Sequence, residues 1–144
     1  MLHMKNLSNL YRTHLIETHA LRNIDIKVKQ GEFDAVTGPS GSGKTTFLNI
    51  AGLLEEHSQG DYLLDGVSIG GLNDDGRSKL RNEKIGFIFQ GFNLIPDLNL
   101  FDIVMVTHDS ELAARAHRNT HIIDGQISDI NAEKYVSAAI SEIV

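Results

Sequence analysis

Residues 38–46 read GPSGSGKTT, and this segment is the strongest indication of the fold class. Its first eight residues match the pattern G-x-x-x-x-G-K-[S/T], whose required context is a preceding β-strand and a following α-helix. The segment Phe33–Thr37 favours a strand, and apolar residues after the loop fill most of a helix surface: Phe47, Leu48, Ile50, Ala51, Leu53 and Leu54. The sequence therefore predicts a phosphate-binding loop between a strand and a helix. The alternative is a glycine-rich turn without a ligand.

The residue types in the loop fit the binding of phosphate groups. Gly38, Gly41 and Gly43 allow the backbone to curl so that successive N–H groups point inward, and the helix that begins near Lys44 adds the positive end of its dipole. Lys44 is expected to reach the β- and γ-phosphates, and the Thr45 hydroxyl is expected to complete a Mg²⁺ shell.

Strands and helices are predicted to alternate along the rest of the chain. Ile24, Ile26 and Val28 alternate with charged residues, the period-two pattern of a strand with one solvated face. Further strands are predicted at Tyr62–Leu64, Ile85–Phe89 and Ile103–Thr107. Helices are predicted at Asn73–Glu83 and Asn131–Ile143, and a third helix is predicted to begin at Asp109 or Ser110. A hairpin is predicted at His121–Asp129, about a type I′ turn at Asp124-Gly125. This order favours an α/β fold with a largely parallel sheet.

Composition restricts the classes of function. The chain has 144 residues and a net charge of −6, with scattered Lys and Arg residues, so we expect one domain over 1–144 and no nucleic-acid partner. It has no cysteine, which excludes disulfides and cysteine-ligated zinc. The first residues lack the apolar core of a secretory signal, and no run approaches the length of a membrane span. These features predict a cytoplasmic, soluble protein.

Four segments together carry a family resemblance: Tyr11, the loop 38–46, IGFIFQGFNLIPDLNLFD at 85–102, and IVMVTHD at 103–109. In this order they resemble an ABC transporter ATPase, in the branch that serves lipoprotein release and macrolide-type export. The resemblance implies a P-loop NTPase-like sheet, mostly parallel and flanked by helices, with an N-terminal antiparallel β portion. It also implies ATP and Mg²⁺ as cofactors, a permease subunit or a second copy as partner, and a place at the inner face of the cell membrane.

The same resemblance implies roles for individual residues. Gln90 stands where the family has a glutamine that meets Mg²⁺ and the attacking water, and His108 where a histidine contacts the γ-phosphate. Thr45 and Gln90 are the implied metal ligands. The implied nucleotide-binding residues are Tyr11, Gly38, Pro39, Ser40, Gly41, Ser42, Gly43, Lys44, Thr45 and Thr46. Two roles remain open for Tyr11, a ring stacked on adenine or an edge aromatic over the core, and Phe92–Leu98 could equally pack in the core or face a permease.

The chain departs from the family between Gln90 and His108, which only seventeen residues separate. The family's segment is on the order of a hundred residues longer, a sizeable part of a domain. It holds a helical subdomain, the LSGGQ signature, and a strand ending in Asp-Glu that supplies a Mg²⁺ carboxylate and the catalytic glutamate. The junction falls near residues 102–104, and Leu100–Asp102 is a poor substitute for the acidic strand end. We therefore expect ATP hydrolysis to be weak or lost while nucleotide binding survives.

Asp34 is a second departure, because a central parallel strand is expected to be apolar throughout. We expect it at the exposed start of its strand; the alternative is a buried carboxylate that costs stability unless it is hydrogen-bonded.

Two rival functions also remain. One is a non-enzymatic module or remnant that docks on a permease or on an intact ATPase subunit. The other is a small kinase whose lid carries Arg77 and Arg81. A metal shared by His117 and His121 is not favoured.

Overall fold

The computed structural model describes residues 1–85, the backbone of 103–106, and residues 113–128. Its elements, in chain order, are β1 (Leu2–Arg12), β2 (Glu17–Val28), β3 (Phe33–Thr37), α1 (Lys44–Ala51), β4 (Gln59–Leu64), β5 (Val67–Ser68), a short 3₁₀ turn (Ile69–Gly71), α2 (Asp74–Lys84), β6 (Ile103–Val106), β7 (Arg118–Ile123) and β8 (Gln126–Ser128). The predictions for Gly86–Phe89, Gln90, Phe92–Leu98, Leu100–Asp102, Thr107–Ser110 with His108, and Asn131–Ile143 lie outside the described residues.

An antiparallel sheet is formed by the N-terminal part of the chain, in the order β2-β1-β4-β5. The predicted alternation in β2 is confirmed, because Ile24, Ile26 and Val28 are buried while the residues between them are exposed. The strand begins earlier than the alternation suggests, at Glu17, where it pairs with Arg12 at the far end of β1. This sheet is the expected antiparallel β portion, and its buried face supplies much of the core.

The second sheet carries the phosphate loop and has the order β6-β3-β7-β8. Strand β3 has the predicted bounds, and it pairs in parallel with β6 on one side and with β7 on the other. Strands β7 and β8 form the predicted hairpin. Its turn residues Asp124 and Gly125 have φ values of 49° and 74°, as a type I′ turn requires. The α/β class with parallel strands around the loop is confirmed.

Helix α1 packs on the core but ends sooner than its apolar pattern predicts. Phe47 is fully buried and Ile50 nearly so, whereas Leu54, which we assigned to the same helix surface, is 56% exposed. The helix stops at Ala51, with Gly52 as its C-cap, and Leu53 takes a left-handed conformation with φ 58°. The inclusion of Leu53 and Leu54 in the helix was therefore wrong, because the left-handed conformation of Leu53 ends the helix after Gly52.

Helix α2 confirms the polar helix predicted at Asn73–Glu83. The Asn73 side chain accepts a hydrogen bond from the Gly76 N–H at 2.8 Å, the usual N-cap arrangement. Acidic residues occupy the first turn and basic residues the last, which suits the helix dipole. Arg81 of this helix donates to the Leu53 carbonyl at 2.7 Å, so α2 also provides a hydrogen-bond donor to the backbone just after α1.

Asp34 is fully buried, so our expectation of an exposed strand start was wrong. Its carboxylate accepts hydrogen bonds from Arg118 at 2.8 and 3.2 Å and from the Thr120 hydroxyl at 2.9 and 3.0 Å. Both partners lie on β7, next to β3. Burial raises the pKa of Asp34, while Arg118 and Thr120 oppose that shift. The alternative reading, a hydrogen-bonded carboxylate inside the sheet, is the one observed.

In the part of the chain that the structure describes, no helix is long and apolar enough to cross a membrane.

Candidate functional site

The loop after β3 has a backbone that requires glycine at specific positions. Gly38 and Gly43 have φ values of 144° and 104°, in the region that side chains disfavour. A Cβ atom at Gly38 would lie 2.1 Å from the Ile122 carbonyl oxygen, and one at Gly43 would lie 2.4 Å from the Ala20 carbonyl oxygen. Gly38 and Gly43 therefore allow the backbone conformation that is expected for a phosphate loop.

The hairpin turn between β7 and β8 holds the loop from one side. The Gly125 N–H donates to the Ser42 carbonyl at 2.8 Å, and the Gly125 carbonyl accepts from the Arg22 N–H at 2.7 Å. The turn thus bridges the loop and strand β2. A Cβ atom at Gly125 would lie 2.5 Å from the Ala20 carbonyl oxygen, so this close approach also needs glycine.

Lys44 lies inside the loop and is only 6% exposed. Its Nζ donates to the carbonyl oxygens of Gly38 at 2.8 Å and Pro39 at 2.6 Å, and to the Ser42 hydroxyl at 3.3 Å. These acceptors are all neutral, and no carboxylate among the described residues forms an ion pair with Lys44. Among the described residues, the loop therefore holds a buried positive charge that has no carboxylate partner.

The first turn of α1 adds to this positive field. Gly43 is the N-cap and offers no side-chain acceptor, and no acidic residue stands in the first turn. The N–H groups of an uncapped first turn carry partial positive charge and suit an anion. Lys44 and the helix end therefore point to the same kind of ligand.

A cavity of about 700 Å³ opens beside the loop. Its lining comes from the loop and the start of α1, from β1 and β2, and from the β7–β8 hairpin: Tyr11, Thr18, His19, Ala20, Arg22, Ser40, Gly41, Gly43, Lys44, Thr45, Thr46, Asp124 and Gln126. The volume lies within the range usual for small-molecule sites. Arg22 and Lys44 contribute positive charge, and Asp124 negative charge.

Tyr11 forms part of the cavity wall and is 42% exposed, so it does not cover the core. Its hydroxyl donates to the Glu55 carboxylate and lies 3.3 Å from Thr46 Oγ1. Burial, followed by the bond to Glu55, raises the pKa of Tyr11. Of the two roles left open for this residue, the edge aromatic over the core does not agree with this position.

The predicted site residues within the described part of the chain come together around this loop. Pro39 and Ser42 hold Lys44 rather than line the cavity, and Gln90 and His108 lie outside the described residues. Sequence reasoning missed the wall formed by Thr18, His19, Ala20, Arg22, Asp124 and Gln126. The β2 part lies at the cavity because Tyr11 pairs with Thr18 across the β1–β2 hairpin, a register that the structure shows and the sequence does not.

Other sites considered from the sequence receive no support from the structure. His117 Nδ1 accepts from the Phe33 N–H, and His121 Nδ1 lies 3.0 Å from Thr37 Oγ1, so the two rings serve separate contacts. Within residues 1–85 and 113–128, no group of three His, Cys, Asp or Glu could hold a metal. Arg77 and Arg81 border a second, smaller cavity with Leu53, and neither lines the cavity at the loop, so the structure does not support a kinase lid that carries them.

Comparison with known proteins identifies relatives of the chain. The family model described as "ABC transporter" matches residues 21–141. An uncharacterised ABC transporter ATP-binding protein of Methanocaldococcus jannaschii is 42% identical over 104 residues, which cover 72% of this chain and 44% of that protein. The lipoprotein-releasing system ATP-binding protein LolD of Hyphomonas neptunium is 40% identical over 102 residues, which cover 71% of this chain and 45% of that protein. The macrolide export ATP-binding/permease protein MacB of Syntrophobacter fumaroxidans is 42% identical, covering 74% and 15%. The chain spans less than half the length of these curated relatives.

Solved structures show the same fold. A dimeric structure of MJ0796, a bacterial ABC transporter cassette, is similar with a TM-score of 0.60 and 34% identity, covering 98% of this chain and 55% of that one. A dimeric, post-hydrolysis structure of MJ0796 bound to ADP and phosphate is similar with a TM-score of 0.78 and 24% identity, covering 89% of this chain and 97% of that one. At this identity the similarity indicates the fold alone. The loop, its flanking strand and helix, the matching family model and these relatives agree: the chain belongs to the ABC transporter family, and the relatives it matches are ATP-binding proteins of that family.

Proposed function

We propose that this chain acts as a shortened ATP-binding subunit of an ABC-type transporter and binds Mg-ATP at residues 38–46. The single observation that carries the proposal is Lys44, a buried ammonium group whose partners within residues 1–85 and 113–128 are all neutral acceptors. A buried charge with neutral partners is unfavourable, so an anion that enters the loop compensates it, and the electrostatic attraction is reduced by the cost of desolvating the anion. Phosphate groups provide that anion.

The triphosphate is assigned to the loop itself. Gly38, Gly41 and Gly43 have left-handed backbones, and loops of this shape present several N–H groups to one anion. Lys44 would exchange its carbonyl partners for phosphate oxygens. The neighbouring residues Ser40, Thr45 and Thr46 line the same cavity and offer hydroxyl groups to the bound chain of phosphates.

The base is assigned to the part of the cavity that Tyr11 borders. Its exposed ring borders the same space as the loop, and an aromatic ring binds any base by stacking. The cavity volume of about 700 Å³ is adequate for a nucleotide. Pro39 and Ser42 support the site through their contacts with Lys44.

Mg²⁺ is assigned to the Thr45 hydroxyl, which borders the cavity next to Lys44. Mg²⁺ prefers oxygen ligands and keeps several waters and phosphate oxygens in its shell, so one hydroxyl is a sufficient start for a site that a nucleotide completes. When bound, the ion would neutralise charge on the phosphates. Gln90 is proposed as a second ligand and His108 as a γ-phosphate contact on the basis of the family resemblance.

Hydrolysis is proposed to be weak or lost. The seventeen residues between Gln90 and His108 leave no room for the family's acidic strand or its signature segment. Loss of a general base lowers a rate by about 10²–10⁴-fold, and loss of an opposing charge-stabilising group has a similar effect. We thus expect this chain to bind ATP but to hydrolyse it slowly or not at all.

The proposed partners are a membrane permease subunit and a second copy of the chain, with a cytoplasmic location at the inner face of the membrane. The names of relatives support the first, because MacB is an ATP-binding/permease protein. The dimeric structure of MJ0796 that is 34% identical to this chain supports the second.

Calorimetric titration of ATP with Mg²⁺ into the wild type and Lys44→Ala tests the proposal. Removal of a charge that contacts an anion in a buried site costs at least about 2 kcal/mol, so Lys44→Ala should weaken binding by about thirtyfold or more. The matched control is Lys79→Ala, a charge loss at an exposed position of α2, which should bind like the wild type. Equal or absent binding in the wild type and Lys44→Ala would contradict the proposal and favour the non-enzymatic module.

A further inference from the structure

The orientation of the Tyr11 ring depends on its hydroxyl group. The side chain is 42% exposed, so packing alone does not immobilise it. Its hydroxyl meets two partners, the Glu55 carboxylate and Thr46 Oγ1. A hydrogen bond to an ionised carboxylate is stronger than one between neutral groups, so Glu55 is the dominant partner.

Glu55 is itself held by a chain of hydrogen bonds. Asn9 Nδ2 donates to the same Glu55 oxygen at 3.2 Å, and Asn9 is only 4% exposed. The Ser58 hydroxyl donates to Asn9 Oδ1 at 3.2 Å and accepts from the Leu10 N–H at 3.0 Å. A buried amide that is bonded through both its nitrogen and its oxygen gives Glu55 a fixed position, which an exposed glutamate without such a partner would lack.

The early end of α1 brings Glu55 to this place. After the left-handed Leu53, the N–H groups of Leu54 and Glu55 both donate to the Asn49 carbonyl, at 2.8 and 3.3 Å. The chain therefore turns back along the helix instead of continuing it. A helix of the length that the apolar pattern suggested would not make this turn.

Thr46 connects the same hydroxyl to the phosphate loop. It belongs to the first turn of α1, two residues after Lys44, and borders the cavity. The Tyr11 hydroxyl thus lies between Glu55 and the start of the helix. Both contacts hold the ring at a defined place relative to the loop.

We propose that Glu55 is a positioning residue for the nucleotide base: Glu55 holds the Tyr11 ring at the place where the base stacks. This inference rests on the proposed function. Glu55 does not border the cavity at the loop, so it acts through Tyr11. A ring held in advance binds a base without the entropy cost of ordering it.

Comparison of ATP with inorganic tripolyphosphate, each with Mg²⁺, separates positioning from other effects. Tripolyphosphate fills the loop but has no base. Glu55→Ala should weaken ATP binding by about three- to tenfold, part of the stacking free energy of a base on an aromatic ring. The same variant should bind tripolyphosphate as tightly as the wild type or more tightly, since a nearby negative charge is gone. Retained tripolyphosphate binding also shows that the loop is folded.

The matched control is Glu56→Ala, which removes the same charge from a side chain that is 69% exposed and pairs with Arg77. It should leave both affinities unchanged. Glu55→Gln keeps an acceptor oxygen and should fall between the wild type and Glu55→Ala. In a Tyr11→Phe background, Glu55→Ala should have no further effect on ATP, because the two residues act as one unit.

Three outcomes overturn the inference. If Glu55→Ala weakens both ligands alike, the residue serves the fold and not the base. If Glu55→Ala and Glu56→Ala bind ATP equally, Glu55 has no positioning role, although the proposed function stands. If the wild type binds neither ligand, the proposed function fails and the inference fails with it.

Discussion

The buried carboxylate of Asp34 predicts a stability difference between two similar substitutions. Asp34→Ala leaves the Thr120 hydroxyl, in a residue only 6% exposed, without its acceptor. An unsatisfied buried hydroxyl costs about 1–3 kcal/mol. Arg118 also loses its partner, but its side chain is 33% exposed and still donates to the Lys27 carbonyl, so its part is discounted to about 1 kcal/mol. The expected total is about 2–4 kcal/mol.

Asp34→Asn should behave differently, because its amide oxygen still accepts from Arg118 and Thr120. Burial raises the pKa of Asp34, so the folded state binds that proton more tightly than the unfolded state. The contribution of Asp34 to stability is therefore greatest below its ordinary pKa and is lost as pH rises through the folded value. At neutral pH we expect Asp34→Asn to lie within about 1 kcal/mol of the wild type, and the wild type should lose stability relative to this variant from acid to neutral pH.

Urea unfolding followed by circular dichroism measures both effects. With a slope of about 2 kcal/mol/M, in the middle of the usual range, Asp34→Ala should lower the midpoint by about 1–2 M. Asp61→Ala, at an exposed position of β4, is the control and should shift the free energy of unfolding by less than about 0.5 kcal/mol. The reasoning is refuted if Asp34→Ala and Asp34→Asn unfold at the same midpoint, or if Asp34→Asn keeps the pH dependence of the wild type.

Three further predictions follow from the site and its surroundings. Gly43→Ala should abolish ATP binding in calorimetry, because its Cβ would lie 2.4 Å from a backbone oxygen of β2, whereas Gly31→Ala, also at positive φ but with open space, should bind normally. Thr45→Ala should remove most of the increase in ATP affinity that Mg²⁺ provides, and an unchanged magnesium dependence would contradict the assignment. Tyr62→Phe should lower the free energy of unfolding by about 1–2 kcal/mol, because the Ala51 carbonyl loses a buried donor at 2.7 Å; a cost near zero in urea unfolding would contradict this.

The loop and the elements beside it could be predicted because their signals are local. The pattern at 38–45 requires a strand before it and a helix after it, and Phe33–Thr37 is observed with the predicted bounds. The hairpin turn at Asp124-Gly125 was predictable for the same reason, since two residues at positive φ favour this dipeptide. The docking of that turn on Ser42 has no local signal.

The environment of Asp34 could not be predicted because its partners are distant in sequence. A carboxylate in a strand shows that something unusual is present, but Arg118 and Thr120 become neighbours only through the parallel pairing of β3 with β7. The position of Glu55 was missed for a different reason. Leu53 and Leu54 extend the apolar pattern of α1, and that pattern was given more weight than the glycine that ends the helix.

The hydrogen bond from Gly125 to Ser42 affects how the chain acquires its shape during synthesis. The loop leaves the ribosome early, and the hairpin that braces it emerges only after β7 has been translated. Contacts between such distant segments form slowly, because the intervening chain must first be ordered. A nascent chain that stops before Gly125 would lack this brace and the β7 neighbour of β3, so we expect the loop to reach its final geometry late, when the hairpin closes over it.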